Sequence, residues 1–120
     1  MENKEFAKNL ELRTLQFAVS VIKTSASLPK SVEATVIRNQ ITKSGTSIEA
    51  NYREANRSRS KKDFKNKINI SVSEASETVY WLDIIFELNW LEANALNGIM
   101  KESKELLAIF TSISNKLKKL

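Results

Sequence analysis

The chain contains no cysteine and no histidine among its 120 residues. Without cysteine there are no disulfides, thiolate zinc sites, iron-sulfur clusters or cysteine nucleophiles. Without histidine the commonest general base, the commonest transition-metal ligand and the ordinary serine triad are missing as well. The sequence therefore points away from an enzyme and calls for no cofactor. Glycine occurs twice and proline once, so long stretches run without a breaker, and sheets joined by tight turns are not expected. No apolar run is long enough to span a bilayer, and the charged stretch Met1 to Glu5 lacks the pattern of a signal peptide. These features read as a cytoplasmic chain with no membrane partner.

What is present is helical periodicity. A chain of this length fits one domain, 1–120, able to bury roughly two thirds of its unfolded surface. Apolar residues recur at Phe6, Leu10, Phe17 and Val21, with Leu15, Ala18 and Ile22 on the adjoining flank, as on one helical face. Leu28-Pro29-Lys30 stops that helix, and Ser31 is suited to cap the next. The second segment carries Ile37, Ile41, Ser44 or Gly45, Ile48, Tyr52 and Ala55 on one face. Its small central residues would let a neighbouring helix approach closely. Ser44-Gly45-Thr46-Ser47 lacks the spacing of a phosphate loop. Ser60 and Asp63 have capping-box spacing. A third helix follows, whose expected seam is Ile68, Val72, Ala75, Val79, Leu82 and Phe86. Asn89 suits a left-handed C-cap, and the last segment repeats Leu96, Ile99, Ser103, Leu106, Phe110, Ile113 and Leu117. The expected fold is all-α: an up-down-up-down four-helix bundle with helices at about 5–26, 31–56, 61–88 and 93–118.

The formal charge is +5, and one connection accounts for it. Between Arg53 and Lys67 stand Arg53, Arg57, Arg59, Lys61, Lys62, Lys65 and Lys67 against only Glu54 and Asp63. A rod with a cationic end attracts phosphates without regard to sequence. The candidate nucleic-acid-binding residues are Arg53, Arg57, Arg59, Lys61, Lys62 and Lys65. The other reading is a solvated basic loop with no partner. Tyr52 and Phe64 are expected in the core, so base stacking is not indicated.

A second stripe runs along the third helix: Ile70, Glu74, Glu77, Trp81, Ile84 and Leu88. Glu74 and Glu77 are one turn apart, a spacing open to an acid/base pair or half of a carboxylate metal site. The absence of histidine favours structural ion pairs instead, with Arg38, Lys43 or Arg53 from a facing helix. Trp81, Ile84 and Leu88 either pack into the core or form an oligomer interface.

Ser44-Gly45-Thr46-Ser47-Ile48, Ala50-Asn51, Glu54-Ala55, Ser60-Lys61, Asp63-Phe64, Lys67, Ile70, Glu74-Ala75, Glu77-Thr78 and Tyr80-Trp81-Leu82 resemble the signature of bacterial four helix bundle proteins, the family named after intervening sequences of 23S rRNA genes. The resemblance implies an up-down bundle assembled into a ring, a homopentamer. It extends to the accessory variability protein of diversity-generating retroelements, a pentameric barrel whose basic surface binds nucleic acid and a reverse transcriptase. It supplies no catalytic residues. The chain departs from the pattern at Glu49, where glycine is expected, at Lys43, where arginine is usual, and at Arg53, where an acid is common. The leading expectation is a non-enzymatic homo-oligomer that binds RNA or DNA weakly. The alternative is a scaffold ring for another protein, whose basic cluster serves only to keep it in solution.

Overall fold

Helix starts coincide with side chains able to accept an orphan amide. In the computed structural model, which describes residues 3–119, Asn3, Ser31 and Ser60 accept from the backbone N–H three residues on, opening α1 (Lys4–Ala26), α2 (Val32–Asn56) and α3 (Lys61–Glu87). The last helix, α4 (Ala93–Lys118), begins after Glu92 without a side-chain cap. Asn89 adopts φ 55 beyond the end of α3, the left-handed conformation that asparagine tolerates best after glycine. Expected and observed boundaries agree to within one residue.

Consecutive helices pack in antiparallel order, α1 on α2, α2 on α3 and α3 on α4, while α1 and α4 touch least. Hydrogen bonds mark the register. Thr42 Oγ1 meets Ser25 Oγ at 3.0 Å near the end of α1, and Asn56 donates to Glu11 at 2.8 Å near its start. Ser114 meets Asn69 at 2.8 Å, pairing late α4 with early α3. The molecule is a rod of 45 × 24 × 21 Å.

The core is a column of Leu10, Phe17, Val21, Ile41, Ile48, Tyr52, Ile68, Leu82, Ile85, Leu96, Leu106 and Phe110. The Tyr52 and Phe110 rings meet edge to face, 5.2 Å between centroids. Gly45 lets α2 pack closely on α1, since a Cβ there would lie 2.7 Å from Val21 Cγ1. The close packing expected around Ser44 and Gly45 is present.

The seam of α3 differs from the apolar reading. Its buried positions are Phe64, Ile68, Ser71, Ala75, Thr78, Leu82 and Ile85, while Val72 and Val79 are half-buried and Phe86 is exposed. Ser71 and Thr78 enter the core because their hydroxyls find acceptors there: the Ile48 carbonyl at 3.1 Å, and Ser44 Oγ at 2.9 Å. The same effect adds polar residues to the buried face of α1, where Leu10, Phe17, Ala18 and Val21 are inside as expected. Thr14 and Ser25 are buried, whereas Phe6, Leu15 and Ile22, expected inside or on its flank, are exposed.

Candidate nucleic-acid interface

The basic connection lies at one end of the rod, where α2 finishes and α3 starts. Arg57, Arg59, Lys61, Lys62 and Lys65 are all exposed there. None makes an ion pair among the described residues. Their order follows from local sequence: α2 ends at Asn56, Arg57 supplies its C-cap, and Ser60 reopens a helix after a short polar link. Lys67 is drawn to Glu54 at 3.1 Å across the α2–α3 groove.

Arg53 does not stand with the others. It lies on the side of α2 that faces α1, with Nε 2.8 Å from Glu49 Oε2 and 3.7 Å from Glu11 Oε1. The contact with Glu49 is an ion pair without a well-directed hydrogen bond, since that carboxylate oxygen is buried and has no hydrogen-bond partner. Glu49 is itself buried. The acid at 49 and the base at 53, two of the positions at which the chain departs from the pattern it resembles, are ion-paired one helical turn apart. Arg53 thus differs from the other candidate binding residues in having acidic partners within the bundle, although its side chain is 44% exposed.

The ion pairs anticipated for Glu74 and Glu77 do not form. Among the described residues neither carboxylate is bridged by Arg38, Lys43 or Arg53. Arg38 instead donates from Nε to the Ser25 carbonyl and from Nη2 to those of Leu28 and Pro29, at 3.1, 3.1 and 2.9 Å. It caps the end of α1, where carbonyls have no helical partner. Lys43 is exposed and unpaired among the described residues. The physical reason is angular: Arg38 and Arg53 point to α1, whereas Glu74 and Glu77 lie on the outer flank of α3. Glu77 accepts from Trp81 Nε1 at 3.3 Å. No group of acids among the described residues is arranged to hold a metal.

Trp81 is half-buried and packs against the core, Ile84 is half-buried and Leu88 is exposed, so this stripe is only partly open at the surface of the bundle. A second apolar stripe, of which the sequence reading named only Leu15 and Ile22 as a flank of the core face, runs along the outside of α1. Leu12, Leu15, Val19 and Ile22 follow at three- and four-residue steps and are 41 to 54% exposed. The inward face expected at Leu10, Phe17 and Val21 is buried, and Thr14 and Ser25 complete it, which leaves this stripe outside.

The least-packed pair, α1 and α4, is tied by Arg13. Its Nη2 lies 2.7 Å from Glu102 Oε1 and 2.9 Å from Glu105 Oε1, and its Nε donates to Glu102 Oε2 at 2.7 Å. The hydrogen bonds to Glu102, more than any other influence, hold the guanidinium above its ordinary pKa, so it stays charged wherever the bundle is folded. A cleft of about 360 Å³ opens at the basic end between the start of α1 and the α2–α3 connection, lined by Lys4, Lys8, Asn56 and Phe64. No helix among the described residues is long and apolar enough to cross a membrane.

No functionally curated protein matches the chain. It is similar to a solved structure from Bacteroides thetaiotaomicron VPI-5482, described as a protein with unknown function from the S23 ribosomal protein family. The two are 36% identical with a TM-score of 0.80, over 87% of this chain and 96% of that one. The model of the 23S rRNA-intervening sequence proteins matches residues 9–112, which spans all four helices. The signature read across α2 and α3 and the observed bundle lead to the same place: the chain belongs to the 23S rRNA-intervening sequence protein family.

Proposed function

We propose that the protein is a non-enzymatic, homo-oligomeric bundle that binds nucleic acid weakly and without sequence preference at the α2–α3 connection. The observation that carries this reading is the group Arg57, Arg59, Lys61, Lys62 and Lys65, exposed and free of ion pairs among the described residues. Exposed cations without internal partners release counterions from a phosphate backbone at little cost to the fold. If about five phosphates are neutralised, log affinity falls with log salt at a slope of roughly −3.5 to −4.5. Filter binding at a series of salt concentrations measures that slope. No complex with RNA or DNA, even at low salt, would overturn the proposal.

Self-association is supported by the two apolar stripes. They lie on α1 and α3, helices diagonal to one another, so they occupy different faces of the bundle. Lys8 and Lys23 flank the α1 stripe, and Glu74 and Glu77 interrupt the α3 stripe. Contact between unlike faces is head-to-tail, and such contacts close into rings when the rotation allows. A pentamer is the proposed closed form. The same stripes favour a second reading, a scaffold that docks a different protein. In that case replacing Arg57, Arg59, Lys61 and Lys62 by Ser leaves partner capture unchanged, whereas the first reading requires nucleic-acid retention to fall.

A further inference from the structure

Resting on the reading that this end binds nucleic acid, we infer that its partner is a duplex, gripped through the phosphate backbone by a composite surface that includes the start of α1 and the end of α4. The antiparallel order brings three separate stretches of sequence to one end of the rod. Late α4 lies beside early α3 through Ser114 and Asn69, and early α1 lies beside late α2 through Glu11 and Asn56. Lys4 and Lys8 therefore join the connection across the cleft, and Lys116, Lys118 and Lys119 reach it from the other side. All five are exposed and none makes an ion pair among the described residues.

Each end of an up-down bundle collects two helix N-termini and two C-termini, so the helix dipoles largely cancel and side-chain charge sets the field. Neighbouring cations on an end about 24 by 21 Å across lie within a few screening lengths of one another and add into one potential. That width matches roughly six to seven steps of a duplex at about 3.4 Å each. A single strand requires a run of exposed rings for successive bases. Here Tyr52 and Phe64 are buried and Phe6 alone is half exposed. One ring is no platform, and rigidly spaced phosphates are what the surface fits.

Fluorescence anisotropy across a salt series tests this with three probes: a DNA duplex about 12 base pairs long, an RNA duplex of the same sequence, and an oligothymidylate of equal phosphate count. One variant carries Lys116→Ser, Lys118→Ser and Lys119→Ser. A control removes equal charge away from this end by Lys30→Ser, Lys43→Ser and Lys101→Ser, all exposed. The inference expects at least one duplex to bind more tightly than oligothymidylate, and the tail variant to flatten the duplex salt slope by roughly 2 to 3. The control should leave that slope nearly unchanged. Duplex binding with an unaltered slope in the tail variant, or equal losses in variant and control, overturns the composite surface while the connection itself still binds. Tighter binding of oligothymidylate overturns the duplex. No binding of any probe overturns the underlying reading.

Discussion

Two buried hydroxyls of the same chemistry have opposite standing in this core. Thr78 Oγ1 lies 2.9 Å from Ser44 Oγ and 2.8 Å from the Glu74 carbonyl, joining α2 to α3. Ser103 Oγ on α4 is buried with no hydrogen-bond partner among the described residues. Removing a satisfied group strands its partners, whereas removing an unsatisfied one relieves a desolvation cost. Thr78→Val is therefore expected to lower stability by about 1 kcal/mol, and Ser103→Ala to be neutral or to raise it by up to about 1 kcal/mol. Urea unfolding of the two variants reads both signs. Neither sign was legible in the sequence, where Ser103 fell in the repeat of its helix and Thr78 outside the apolar seam, because satisfaction depends on which atom of a neighbouring helix faces the hydroxyl. The Glu49 and Arg53 pair makes the same point. Their spacing of four is visible in the sequence, but their turn towards Glu11 on α1 is not.

At the scale of helices, boundaries followed local chemistry and so were readable: Ser31 and Ser60 cap, Pro29 interrupts, and Asn89 turns left-handed. Facing directions were less readable, because serine and threonine count as polar in a hydropathy pattern yet bury once a helix carbonyl or another hydroxyl accepts from them. That is why the seam of α3 runs through Ser71 and Thr78 instead of Val72 and Val79. The α1–α2 contact depends on Gly45, and Val21 is β-branched with little freedom to move aside. Gly45→Ala should lower stability by about 1 to 3 kcal/mol through overpacking, despite alanine's better helix propensity. Adding Val21→Ala should cost less than the two single losses together, since the second truncation makes room for the first. A double-mutant cycle in urea shows this, and strict additivity would refute the close contact.

For the molecule as a whole, the exposed stripes make a prediction separate from nucleic acid. Leu15→Glu with Val19→Glu places charge on the outside of α1, away from the core. The variant should stay folded by circular dichroism and sediment as a smaller species than the parent protein. A parent that is already monomeric at micromolar concentration would contradict the ring, and an unchanged oligomer in the variant would exclude this face from the interface.

Composition and periodicity determined by themselves that the chain makes four helices, where each begins, that histidine and cysteine chemistry is absent, and that one connection is strongly basic. Those properties depend on residues near one another in sequence. Tertiary packing decided that Thr14, Ser25, Ser71 and Thr78 complete the inward faces of α1 and α3, that Arg53 pairs with Glu49 and Glu11, that Arg38 caps α1 instead of pairing with Glu74 or Glu77, and that lysines from both ends of the described chain share one end of the rod with the basic connection. These depend on distances between helices, which the burial of a few satisfied hydroxyls and the approach at Gly45 set.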